Sequence, residues 1–140
     1  MASEELAKTG HRVLLVDAKP SFGRKFLMAG KSGLNLTKSE AKETFQAQFR
    51  AATPRLRPML EAFGPPKVQA WASGLGQTLF TGTSGRVFPT AMKASPLLRS
   101  WLGRLDALGV ARKSLWCWIG WQDGNLQFDT PQGVVSLRPK

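Results

Sequence analysis

Residues 11–37 read HRVLLVDAKPSFGRKFLMAGKSGLNLT, and the fold turns on this stretch. Arg12-Val13-Leu14-Leu15-Val16-Asp17 is a continuous apolar run closed by an acid, the pattern of a parallel strand buried on both faces. From Lys19 to Thr37 a proline and glycines at 23, 30 and 33 interrupt any apolar period. The segment reads as a long ordered loop with about one turn of helix, and long loops inside a compact unit are usually functional. Its glycines let backbone N–H groups approach an anion, and Arg24, Lys25 and Lys31 supply charge. Taken alone, it reads equally as a solvated basic loop.

Upstream, Ala2 to Lys8 reads as the end of a helix, with Leu6 and Ala7 as its apolar residues and Gly10 as a left-handed cap. In a dinucleotide-binding βαβ unit, the acid that bonds the adenosine ribose ends the second strand, about twenty residues beyond a glycine-rich phosphate turn. Counting back that far from Asp17 runs off residue 1. No G-x-G-x-x-G occurs in the sequence: Gly74-Leu75-Gly76 has Leu79 where the third glycine should stand. For an isolated strand, a surface acid is the commoner reading of Asp17. Gly30-Lys31-Ser32 is not a P-loop, because Lys25 occupies the place of its first glycine.

Downstream, Thr37 and Glu40 have capping-box spacing and predict a helix to about Ala51, with Ala41, Phe45 and Phe49 on one face and Pro54 as its stop. Leu56, Met59, Leu60 and Phe63 form the stripe of a second short helix ended by Gly64-Pro65-Pro66, and a third carries Val68 and Trp71. Leu79-Phe80 and Val87-Phe88 predict a hairpin. Ser95 caps, and Pro96 opens, the clearest helix, whose buried face is Leu98, Trp101, Leu102, Leu105 and Leu108 before Gly109. Leu115–Trp121, the Asp123-Gly124 turn, Leu126–Phe128 and the turn at Pro131-Gln132-Gly133 make an antiparallel meander.

The composition excludes several classes. With one cysteine and one histidine, the sequence supports neither a disulfide nor a zinc site. No run reaches the ~20 apolar residues of a membrane helix, and no signal peptide opens the chain, so a cytoplasmic protein without membrane contact is expected. The formal charge of +11 is scattered rather than clustered, which reads as a solvated basic surface.

The segment His11–Thr37, with Gly82-Thr83-Ser84-Gly85-Arg86-Val87-Phe88-Pro89 and Lys93-Ala94-Ser95-Pro96-Leu97-Leu98-Arg99, resembles the bacterial NAD(P)/FAD-dependent oxidoreductases of the aminoacetone oxidase-like type. The resemblance runs through most of the chain in one register. It implies an α/β fold, or α+β as a fragment: a partial FAD-binding Rossmann-like domain over residues 1–38, then a mostly helical and antiparallel-strand inserted domain over 39–140. It implies FAD as cofactor, with NAD(P)H as a candidate reductant and a small molecule as substrate. By the same resemblance, Asp17 binds the adenosine ribose, Gly23, Arg24 and Lys25 lie along the cofactor, and Gly30, Ser32, Gly33 and Asn35 approach the flavin and its phosphates. Arg86 sits in a motif of the inserted domain that faces the flavin, which implies assistance to a substrate as one role and a structural turn as the commoner one.

Relatives of this type begin with a strand and a phosphate-binding glycine motif and continue beyond residue 140. The expectation is therefore a truncated chain that binds FAD weakly or not at all. No side chain stands out as acid, base or nucleophile. Cys117, among Trp116, Trp118 and Ile119, reads as a small buried hydrophobe, and His11 as a surface residue. The rival reading is a basic module that holds single-stranded nucleic acid with Arg and Trp. Trp71 and Trp101 fall on apolar helix faces, which weakens that rival and makes a nucleic-acid partner unexpected; Trp116, Trp118 and Trp121 stay open.

Overall fold

A computed structural model describes residues 1–30 and 32–139. In chain order the elements are α1 (Ala2–Lys8), β1 (Leu14–Asp17), α2 (Arg24–Ala29), β2 (Thr37–Lys38), α3 (Lys42–Ala47), α4 (Thr53–Ala62), α5 (Pro65–Gly74), β3 (Leu79–Thr81), β4 (Arg86–Pro89), α6 (Ala94–Ala107), β5 (Ala111–Ser114), β6 (Cys117–Gln122), β7 (Asn125–Thr130) and β8 (Gly133–Leu137). Among the described residues they form a mixed α/β arrangement with one parallel pair and two antiparallel sheets. Two compact units result: the first joins Met1–Arg24 to Leu102–Lys140, and the second is Lys25–Trp101.

In the first unit, α1 ends at the expected cap, with Gly10 N–H donating to Ala7 C=O and His11 N–H to Leu6 C=O. Its buried residue is polar. Leu6 is 47% exposed, whereas Glu4 is fully buried, 3.1 Å from Arg104 Nη1 and 3.0 Å from Lys8 Nζ. The cations at its side offset the cost of burying this carboxylate.

The strand at Asp17 is shorter than its apolar run, and β1 pairs in parallel with β5, Leu14 opposite Ala111 and Asp17 opposite Ser114. It is not buried on both faces: Leu14 is 39% exposed and the rest of the strand is half-buried, because β5 is its only strand neighbour among the described residues. The sequence Ala111-Arg112-Lys113-Ser114 carries too little apolar character to announce β5.

The meander forms as expected. Asp123 and Gly124, at φ 49° and 75°, make the two-residue turn between β6 and β7, and Pro131-Gln132 joins β7 to β8. A bulge between Trp118 and Gly120 interrupts β6. Phe128 is buried under the Trp116 ring, centroids 5.6 Å apart, while Trp118, Ile119 and Trp121 are exposed. Cys117 is exposed too, correcting the buried reading: all of β6 except the half-buried Gly120 is exposed, so neither face of the strand covers the thiol.

In the second unit β2 and β3 flank β4, both antiparallel to it. Thr37 therefore does not cap a helix. It pairs with Val87 in the sheet, and Glu40 turns its carboxylate to Lys38 Nζ at 2.7 Å instead of back to the Thr37 amide. The helix starts later, as α3, and a 3₁₀ turn at Arg50–Ala52 follows it. Pro54 opens α4 rather than stopping α3, which suits a residue with no N–H to leave unsatisfied in a first turn. Of the expected α4 stripe, Leu56 and Leu60 are half-buried, but Met59 and Phe63 are exposed. Helix α6 begins at Ala94, ahead of Ser95 and Pro96.

The second unit's core joins buried Leu34, Ala72, Leu75, Ala94 and Leu97, with Phe26, Trp71 and Trp101 packed against it. Trp101 meets Trp71 edge-on with centroids 5.0 Å apart, so both are packing residues. Helix α6 contributes Ala94–Trp101 to this unit and its remainder to the first. It ends at Gly109, φ +74°, where Gly109 N–H donates to Asp106 C=O and Val110 N–H to Leu105 C=O; Leu105 and Val110 are both buried.

Candidate cofactor site

The candidate residues fall in both units: Asp17, Gly23 and Arg24 in the first, and Lys25, Gly30, Ser32, Gly33 and Asn35 in the second. Asp17 stands at the carboxyl end of a parallel strand, where open α/β sheets place their ligands. Its Oδ1 accepts the Lys19 N–H at 2.8 Å, a turn closed by the acid's own side chain. Its carbonyl accepts the Trp116 N–H at 3.0 Å, and the Lys19 carbonyl accepts the Leu115 N–H at 3.2 Å, so residues after β5 brace the loop after β1. Asp17 Oδ2 has no hydrogen bond among the described residues.

Two neighbours of this half were not read from the sequence. Arg112 on β5 grips Asp106 with Nε at 2.9 Å and Nη2 at 2.6 Å, and its guanidinium lies 5.6 Å from the Phe22 ring centroid, directly before Gly23. Both contacts depend on β5, which the sequence did not announce. Arg24 follows, exposed.

In the second unit Gly30 is buried, its N–H donating to Phe26 C=O at 3.3 Å. A Cβ there would stand 2.6 Å from Ala94 Cβ and 3.1 Å from Ala94 N. Protein packing alone thus requires glycine at 30. Gly33, at φ +132°, adopts backbone that a side chain would strain, and its Cβ would meet Met92 Cε at 2.9 Å. The loop is then pinned on both sides: Leu34 N–H donates to Met92 C=O at 3.0 Å and Leu36 N–H to Val87 C=O at 2.9 Å. With Leu34 in the core, Lys25, Ser32 and Asn35 are left exposed. Lys31, the third cation of the sequence reading, lies outside the described residues.

Arg86 is exposed at the start of β4, beside a tight turn in which Gly85 N–H donates to Gly82 C=O and Gly82 N–H to Arg86 C=O. His11 is exposed as expected, with Nδ1 3.0 Å from Thr9 Oγ1. Among the described residues no cluster of His, Cys, Asp and Glu could hold a metal ion, and no helix is long and apolar enough to cross a membrane.

The donor set suits a dinucleotide in part. Asp17 offers an acceptor for ribose hydroxyls, and Arg24 and Lys25 offer charge for phosphate. The glycine-rich turn that would carry the pyrophosphate is not in the sequence.

No curated protein matches the sequence. One solved structure with a similar course is NikD, an unusual amino acid oxidase essential for nikkomycin biosynthesis, in its open form. The two share 13% identity over 96% of this chain, with a TM-score of 0.42, and this chain spans 45% of that one. The model of the HI0933-like protein Rossmann domain matches residues 1–136. The chain therefore belongs to the HI0933-like Rossmann domain family, a family of FAD-dependent oxidoreductases.

Proposed function

We propose that residues 1–38 carry one part of an FAD site in an oxidoreductase, with Asp17 accepting from the adenosine ribose hydroxyls and Arg24 and Lys25 neutralising the phosphates. Gly30, Ser32, Gly33 and Asn35 form the loop that runs along the cofactor, held in shape by Leu34 and the close contact of Gly30 with Ala94. Bound FAD supplies hydride or electron transfer, with NAD(P)H as the reductant and a small molecule as substrate. The protein's part is to bind and orient it. The observation that carries this reading is Asp17 at the carboxyl end of a parallel strand, with one carboxylate oxygen bearing no hydrogen bond among the described residues.

Because the sequence holds no pyrophosphate turn at a helix N-terminus, the chain by itself binds FAD weakly. Titrating the ¹⁵N-labelled chain with FAD at millimolar concentration tests both points. Amide shifts are expected at residues 17–19 and 23–35, with weak saturation, and Asp17→Asn should weaken binding roughly tenfold, the equivalent of one hydrogen bond to a charged group. Stoichiometric, tightly held yellow cofactor would refute the weak binding. Shifts indifferent to Asp17→Asn would refute the ribose role.

A further inference from the structure

Between β4 and α6 the chain passes through Met92 at φ 56°, in the left-handed region. Glycine adopts that region freely and asparagine tolerates it, but a long side chain is strained there. Two hydrogen bonds hold Met92 in place: its N–H donates to Pro89 C=O at 2.8 Å, and its C=O accepts the Leu34 N–H at 3.0 Å. Pro89 is fully buried and Leu34 belongs to the core, so both ends of this brace are fixed.

For the backbone alone, glycine would serve better at this position. Burial does not account for methionine either, since Met92 is 39% exposed. What its side chain touches is the candidate cofactor loop: Met92 Cε lies 2.9 Å from the point where a Cβ on Gly33 would stand. The thioether methyl therefore fills the side-chain place that Gly33 leaves open. Strained residues that their surroundings hold in place cluster at ligand sites, and this one abuts the loop assigned to FAD.

The next step rests on the FAD reading of residues 30–35 given above. An uncharged thioether is a weak acceptor and no donor, so it offers little to a phosphate or a ribose hydroxyl. Its polarisable sulfur and methyl group pack well on an aromatic ring. We infer that Met92 is a further cofactor-binding residue, which packs its thioether against the flavin ring beside Gly33.

Methionine methyl groups labelled with ¹³C in the full chain read this contact, with FAD and ADP at millimolar concentration as probes. FAD should shift the Met92 methyl signal, identified by its loss in Met92→Leu, and give intermolecular NOEs from it to the flavin ring protons. ADP, which lacks the ring, should leave that signal in place. The methyl of Met59, exposed on α4 outside the candidate set, should stay unmoved by FAD. Met92→Asn keeps a residue that tolerates the backbone but removes the thioether, so it should weaken FAD at least threefold and leave ADP affinity unchanged. Amide shifts at residues 17–19 and 23–35 beside a silent Met92 methyl would overturn the contact and leave the cofactor site standing. Silence at both would sink the contact and the FAD reading together. A Met92 response to ADP equal to that to FAD, a Met59 response equal to that of Met92, or a folded Met92→Asn that binds FAD unchanged would each overturn the contact. Should Met92→Asn not fold, the methyl signals of the wild-type chain decide alone.

Discussion

The candidate carboxylate and the candidate glycines are held by different forces. In the first unit, Asp17 rides on a four-residue strand with one strand neighbour among the described residues, and the contacts that fix its surroundings are polar: the β1–β5 ladder, the bonds from Leu115 and Trp116 and the Arg112–Asp106 pair. In the second, the glycine loop is wedged against a closed core by Leu34, with Ala94 filling the space beside Gly30. Directional bonds can place an acid while leaving apolar side chains such as Leu14 and Trp121 exposed. Dense packing tolerates no such slack, because each added or removed methyl group is felt by its neighbours.

The sharpest way to break this contrast is to truncate one leucine in each unit. Leu97→Ala, at a fully buried site, should cost ~2–5 kcal/mol in urea denaturation, whereas Leu14→Ala, 39% exposed, should cost about 1 kcal/mol or less. Equal costs would end the distinction. Next in size, Gly30→Ala should cost ~1–3 kcal/mol by overpacking Ala94. Adding Ala94→Gly should recover part of that loss, so a double-mutant cycle would show a coupling of at least ~0.5 kcal/mol.

A third comparison isolates backbone from packing. At Gly109 nothing lies within 4 Å of an added Cβ, but φ is +74°, so Gly109→Ala should cost ~1–2 kcal/mol through strain alone. Gly109→Asn, which tolerates that conformation better, should be milder in the same denaturation assay.

The smallest effect belongs to the exposed Lys42–Glu61 pair. The hydrogen bond from Lys42 holds the Glu61 carboxyl below its ordinary 4.5. Since the folded value is the depressed one, the pair's support is complete above about pH 4.5 and is lost as pH falls through the lowered value. An NMR titration of Glu61 should show its midpoint rising towards 4.5 in Lys42→Met. An unmoved midpoint would mean that the ion pair is not formed in solution.

Features with local causes were legible in the sequence. The caps at Gly10 and Gly109, the Asp123-Gly124 turn and the meander around it follow from backbone conformations that few residues accept, and the structure contains all of them. The Thr37–Glu40 spacing misled because a capping box is a local preference of about 1 kcal/mol, easily outweighed by a strand position opposite Val87. The burial of Glu4 was not legible, because Arg104, one of the cations that hold it, lies far along the chain.

Of the candidate site, the carboxylate, the cations and the glycines were named from the sequence, through the family resemblance and not through their own chemistry. It could not find Arg112, Phe22, Met92 or Ala94, which matter through contacts with residues far along the chain. What the amino-acid sequence by itself determined was the family, the acid at the end of β1 and the turn-forming glycines, all set by residue type and short spacing. Only the tertiary structure decided that β5 pairs with β1, that Gly30 answers to Ala94, and that Thr37 pairs with Val87. Those facts depend on long-range pairing and packing, to which each residue contributes only half.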